Sequence, residues 1–344
     1  MNAIANLLIS SDSHVIEPFD LWKKRMPQAL RDQAPVYKEQ TVFQGREGGT
    51  DPVARMLEMA MDGVSAEVLY PSLALDQFGL SDAQLQEACF AVYNDWLSEY
   101  CSHSPDRLYG IGCISAYRID NAVKEAERCK KAGMRGAMLW QVPPKELSFA
   151  SKHYDPFWAA AQDLELPVSL HILTGMAYAP GVVGQEGRDA PSRLVYSVNE
   201  KLLHISTGLI HIISSGVLER FPRLKIVLVE TEVSWLPFVM AQWDKYCARG
   251  SYDSTMTMLP SEYFRRQGYA TFLHDPHARL LFGEWGTHNC MWSNDFPHRN
   301  STWPKSREVI ARELSALPAA TQSRLLHENV TQLYNLPAVT PLAA

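Results

Sequence analysis

The chain has 344 residues, of which 46% are hydrophobic, 20% charged and 10% aromatic, and its formal net charge is -6. That charge provides no basic surface for nucleic acid or an anionic membrane, and no apolar run nears the roughly 18 to 20 residues that span a bilayer. The N-terminus has no basic stretch followed by a long apolar one, so no secretory signal is expected, and six scattered cysteines without a C-x-x-C pair suit reduced core thiols of a cytoplasmic protein.

The first element sets the theme. Leu7-Leu8-Ile9 runs into Ser10-Ser11-Asp12-Ser13-His14, which reads as a buried strand delivering polar side chains to a site. Strand side chains alternate, so Asp12 and His14 share a face. A carboxylate and an imidazole converging there make half of a divalent-metal site. The plainer reading is a strand end whose Asp and His only form hydrogen bonds. Residues 19–62 hold Pro27, Pro35, Pro52 and the glycines 45, 48 and 49, so they read as an insertion or lid with no long regular element at its centre.

A second strand is expected over 65–71, then a helix over 82–103 from Leu85, Ala88, Cys89, Val92, Trp96 and Leu97 at three-to-four spacing. Strands at 108–114, 136–140, 168–172, 225–230, 269–273 and 290–293 follow. Between them lie helices at 120–131, 156–164, 194–219 (one long or two joined) and 234–246. Residues 174–193 read as a second loop or lid segment, rich in glycine and proline. Helices at 306–317 and 319–334 close the chain.

About eight strands separated by helices predict an α/β fold, one distorted (β/α)8 TIM barrel in a single domain over residues 1–344. A doubly wound open sheet comes second, because no Gly-rich dinucleotide fingerprint follows the first strand. In a barrel the C-terminal strand ends form the active face. The polar residues there are Asp12, His14, His171, Glu230, His274 and Asp295. Taken singly, His171 is also readable as a core histidine and Asp295 as a turn residue.

The ordered motifs D-x-H-x-x-E-P at 12–18, the strand histidine His171 and F-P-x-L-K at 221–225 form one series. It continues with S-W-L-P at 234–237, M-W-S-N-D-F-P-H at 291–298 and S-T-W-P at 301–304. Together they resemble the amidohydrolase-related branch of the amidohydrolase superfamily, which includes aminocarboxymuconate semialdehyde decarboxylase and related metal-dependent hydrolases. The resemblance implies one divalent metal, zinc first and manganese second, held by Asp12, His14, His171 and Asp295. Two departures stand out. This chain has Asp12-x-His14 where the decarboxylases carry His-x-His or Glu-x-His. It also has Glu230 where many members end the sixth strand in histidine.

Two imidazoles and two carboxylates neutralise a divalent ion, so bound water is acidified less than in a histidine-rich zinc site. A nearby base then gains value, and Glu230, His274, His298 and Asp295 itself are the candidates. The leading expectation is hydrolysis, with metal-activated water attacking an acyl or carbonyl carbon of a small aromatic substrate. The alternative is non-oxidative decarboxylation of an aromatic or enoic acid. A non-catalytic ligand-binding barrel comes third. Trp22, Tyr70, Trp140, Trp292 and Trp303 supply aromatic surface for such a ligand. A small molecule is the expected partner, with no nucleic acid or membrane, and a homodimer is the assembly frequent among similar proteins.

Overall fold

The computed structural model describes residues 7–38, 45–178, 191, 194–250 and 256–341. β1 (Ile9–His14) is buried throughout although five of its six residues are polar. Such a strand is stable inside only when its polar groups find partners. The hydroxyls of Ser10 and Ser13 donate to Asn294 Oδ1 at 3.1 and 2.8 Å, and Ser11 donates to the Trp292 carbonyl at 2.8 Å.

Seven further strands follow: β2 (Ala66–Tyr70), β3 (Leu108–Cys113), β4 (Gly136–Leu139), β5 (Val168–His171), β6 (Ile226–Val229), β7 (Gly268–Phe272) and β8 (Cys290–Trp292). Each pairs in parallel with the next, in sequence order. The ring closes just past β8, where Asp295 N–H donates to the Asp12 carbonyl at 3.0 Å and His14 N–H to the Phe296 carbonyl at 2.6 Å. This is the expected (β/α)8 barrel. The register of β1 on β2 slips between Ser10 and Ser13. One extra residue there is a bulge, and it falls within Ser11-Asp12, where the strand must aim its carboxylate inward.

Helices wrap the strands, among them α1 (Pro52–Asp62), α2 (Ala83–Cys101), α3 (Ile119–Lys131), α4 (Asp155–Asp163), α5 (Lys201–Ser214), α6 (Leu236–Ala248), α7 (Ala278–Trp285) and α8 (Ser306–Leu314). α1 and α7 correct the sequence reading. Pro52 is not a break: it occupies the first turn of α1, where its missing N–H costs nothing, and Asp51 caps the helix by accepting from Val53 N–H. The stretch 194–219 is two joined helices, α5 and Val217–Arg220, separated by Gly216 at φ +72°, with a π-helical turn Val195–Glu200 ahead of α5. Of the expected loop at 174–193, residues 179–190 and 192–193 lie outside the described residues.

The apolar core lies between strands and helices, where Val68, Ile111, Leu139, Leu170, Val227 and Leu228 are fully buried. Deep in the barrel, Tyr70 Oη meets Ser169 Oγ at 2.9 Å and Tyr334 Oη at 3.1 Å. The C-terminal helical segment thereby reaches the barrel interior. All six cysteines are free thiols. Among the described residues no helix is long and apolar enough to cross a membrane.

Candidate metal centre and its cavity

The bulged end of β1 places Asp12 and His14 together, with Oδ1 and Nε2 3.4 Å apart. The end of β5 adds His171, whose Nε2 lies 3.3 Å from His14 Nε2 and 3.9 Å from Asp12 Oδ1. The turn after β8 adds Asp295, with Oδ1 3.4 Å from His14 Nε2. Two donors each about 2.1 Å from one cation lie roughly 3.0–3.4 Å apart at ordinary coordination angles. Three of these four separations match that spacing.

The other ring nitrogens fix the tautomers. His14 Nδ1 sits 2.6 Å from the Pro71 carbonyl and His171 Nδ1 2.8 Å from the Ile172 carbonyl. Each Nδ1 therefore carries the proton, and both Nε2 lone pairs point at the shared centre. Burial holds His14 well below the usual imidazole range and lowers His171 to about 3. Both rings are neutral donors.

The carboxylates lack what such buried groups ordinarily have. Both oxygens of Asp12 and Oδ1 of Asp295 are buried without a hydrogen bond of ordinary geometry. Burial pushes the Asp12 carboxyl up, against the pull of His171, His298 and the Thr271 hydroxyl. Asp295 is pushed well above the usual carboxylate range by burial and then by Asp12, with Lys201 and Arg46 opposing. Two buried, mutually repelling acids facing two neutral imidazole nitrogens are the environment a divalent cation relieves. The donor set fits one.

Two further groups join the cluster. His298 stacks on His14 with ring centroids 3.9 Å apart, its Nδ1 2.9 Å from Asp295 Oδ1 and its Nε2 2.9 Å from Ser72 Oγ. Glu230 Oε2 lies 3.7 Å from His171 Nε2, and its side chain is 15% exposed. Burial, then Asp295, raises the Glu230 carboxyl to about 8. Glu230 opens onto a cavity of about 570 Å³ lined by Ile172, Val198, Lys201, Leu202 and Trp235, among others.

Leu173, Glu230 and Asp295 all adopt left-handed backbone, at φ +64°, +60° and +54°. Side chains rarely accept that region, at a cost of roughly 1–2 kcal/mol each. Here it turns the chain sharply past β5, β6 and β8 so that their terminal groups face inward.

Of the expected site residues, the structure brings together Asp12, His14, His171, Glu230, Asp295 and His298. His274 stands apart. Its Nδ1 pairs with Glu313, and its side chain is 58% exposed at the cavity rim. Several supporting groups had no role on sequence grounds. Glu17 accepts from the N–H groups of Ser72, Leu73 and Ala74, and Arg55 pairs with Glu67 at 2.5 Å and donates to the His14 carbonyl at 2.7 Å. Glu17 had a visible signal, its place in D-x-H-x-x-E-P. Arg55 and Lys201 had none.

A model of the amidohydrolase family matches residues 21–336. Gamma-resorcylate decarboxylase of a Polaromonas species is 26% identical over 231 residues, which cover 60% of this chain and 65% of that protein. The chain therefore spans 65% of the length of this relative. The solved 5-carboxyvanillate decarboxylase of Sphingomonas paucimobilis superposes with a TM-score of 0.75 at 20% identity, over 97% of this chain and all of that one. A dihydroxybenzoic acid decarboxylase of Polaromonas, solved with manganese and the inhibitor 2-nitroresorcinol, gives 0.71 at 19% identity over 96% and 97% of the two chains. At these identities the two structures share the fold.

Proposed function

Because the chain belongs to the amidohydrolase family, we propose that it is a metal-dependent carboxy-lyase that releases carbon dioxide from a small aromatic acid. Hydrolysis, first on sequence grounds, becomes the second reading. The decarboxylase relative supports this order.

The observation that carries the proposal is the Glu230 carboxyl between the metal-site cluster and a largely apolar cavity wall. Decarboxylation needs a proton donor at carbon, whereas hydrolysis needs a base that takes a proton from water. In the metal-free chain burial lifts the Glu230 carboxyl to about 8, which favours the protonated form. In the proposed step the bond from ring carbon to carboxylate breaks and its electron pair stays on the carbon. Carbon dioxide leaves, and the Glu230 proton ends on that carbon. The Glu230 carboxylate then takes a proton from water in the cavity, which restores the acid, while His298, held neutral by burial, bridges Asp295 and Ser72.

Asp12, His14, His171 and Asp295 would hold the ion. A divalent cation there neutralises the buried carboxylates and polarises substrate oxygens. Two carboxylates among four donors suit manganese, and the manganese-bound neighbour supports that choice over zinc. Apolar walls receive the ring and the neutral gas.

The test offers manganese-loaded protein a panel of hydroxybenzoic acids, together with their amides and methyl esters, in oxygen-labelled water. Carbon dioxide release with no label in the aromatic product is expected. Label in the product without carbon dioxide would reinstate hydrolysis.

A further inference from the structure

The cavity over the cluster is lined by several acids and one lysine, Lys201, the first residue of α5. The acids are engaged. Asp275 accepts from the N–H groups of Val233 and Ser234 at 3.0 and 2.7 Å, and from the Ser234 hydroxyl. Glu232 accepts from the N–H groups of Leu273 and His274 at 3.2 and 3.4 Å. Glu230 faces His171. Among the described residues no carboxylate forms an ion pair with Lys201. Its charge still reaches the centre, since it acts on both Glu230 and Asp295.

The backbone of Lys201 is held from behind. Gln141, buried where the chain leaves β4, donates Nε2 to the Lys201 carbonyl at 3.3 Å, which fixes the start of the helix. Half-buried Lys201 on a fixed turn, beside apolar Ile172, Leu202 and Ile205, has no anionic partner among the described residues. A strongly hydrated cation kept in such a place loses solvation that a bound carboxylate restores.

We propose that Lys201 is a specificity-determining residue that pairs with the substrate carboxylate, so that the cavity selects aromatic acids as anions over their neutral amides and esters. This rests on the aromatic-acid reading of the site and adds the group that recognises the charge. The role is in binding and orientation, and the proton transfer at carbon belongs to Glu230.

The test is calorimetric, on the full-length manganese-loaded protein, with benzoate and benzamide as probes. Benzoate has no ring hydroxyl to assist loss of its carboxylate, so it reports binding alone. Lys201→Met is expected to weaken benzoate at least about tenfold and benzamide less than about threefold. Lys201→Arg should keep benzoate within about threefold of wild type, which also controls for folding. Equal loss for both probes, an unchanged benzoate affinity in Lys201→Met, or no detectable benzoate binding by the wild type would overturn the inference. Lys201-dependent benzoate binding in a protein that releases no carbon dioxide would instead retain it and remove the carboxy-lyase reading.

Discussion

The main-chain N–H of Asp295 donates to the carbonyl of Asp12 at 3.0 Å. With the bond from His14 N–H to the Phe296 carbonyl it closes the barrel, and it joins the backbones of two buried acids. Residues 283 positions apart meet where the proposed ion sits, so the site and the seam share one piece of architecture.

Asp295→Asn tests the carboxylate without disturbing the seam, because asparagine tolerates left-handed backbone and keeps the N–H. Turnover is expected to fall at least about 100-fold with the fold intact by circular dichroism. Activity within about threefold of wild type, less than 1 kcal/mol in barrier, would remove Asp295 from the chemistry. In wild type, manganese at about 100 times its dissociation constant should add about 2.7 kcal/mol of stability. Asp12→Asn should abolish that increment.

Manganese affinity should rise with pH. Without the ion, burial holds Asp12 and Asp295 above the ordinary carboxylate range, so binding must expel protons. Each proton released steepens the dependence by up to about one decade per pH unit. The rise should extend above about pH 5, where exposed carboxylates have finished titrating. Chelator competition at a series of pH values reads the slope directly. A flat profile from pH 5 to 7 would contradict the protonated starting state.

Glu17 makes a separate prediction about stability. Burial raises its carboxyl from 4.5 to about 7, against three N–H donors that favour the charged form. A raised folded value means the folded chain holds the proton more tightly than the unfolded one. Its contribution is therefore complete below pH 4.5 and is lost as pH rises to about 7, up to about 3 kcal/mol in all. Glu17→Gln should remove this downward slope from the urea-unfolding free energy of the metal-free protein. An identical pH profile in the variant would show that Glu17 is not the titrating group.

Glu230→Gln and His274→Gln separate the two candidates that sequence alone ranked together. The first removes the proposed proton donor and should cut kcat at least tenfold with KM little changed. The second alters an exposed ring that faces Glu313 and should leave kcat within about threefold. A reversal of these outcomes would transfer the proton-donor role to the rim.

The strands were legible because a barrel strand covered on both faces is a short apolar run between breakers, as in residues 225–230. Asp12, His14, His171 and Asp295 were legible among six polar residues at the strand ends, and the family resemblance singled them out as the ligand set. What stayed hidden depends on tertiary aim. His274 follows β7 by two residues and His298 follows β8 by six, and one ring turns outward to Glu313 while the other stacks on His14. Nothing local encodes that difference. α1 was hidden by Pro52, whose meaning depends on whether it stands inside a helix or at its first turn. Lys201 carries no motif, and only the fold brings it within reach of Glu230.

The left-handed residues Leu173, Glu230 and Asp295 carry a warning for anyone seeking a hardier form of this enzyme. Random libraries screened for heat resistance will favour glycine or asparagine at such positions, since either relaxes the main chain. At 173 that exchange changes no member of the metal-site cluster. At 230 and 295 the same hits would emerge as robust, well-expressed and inert proteins, so a thermal screen alone would select against the reaction it was meant to preserve.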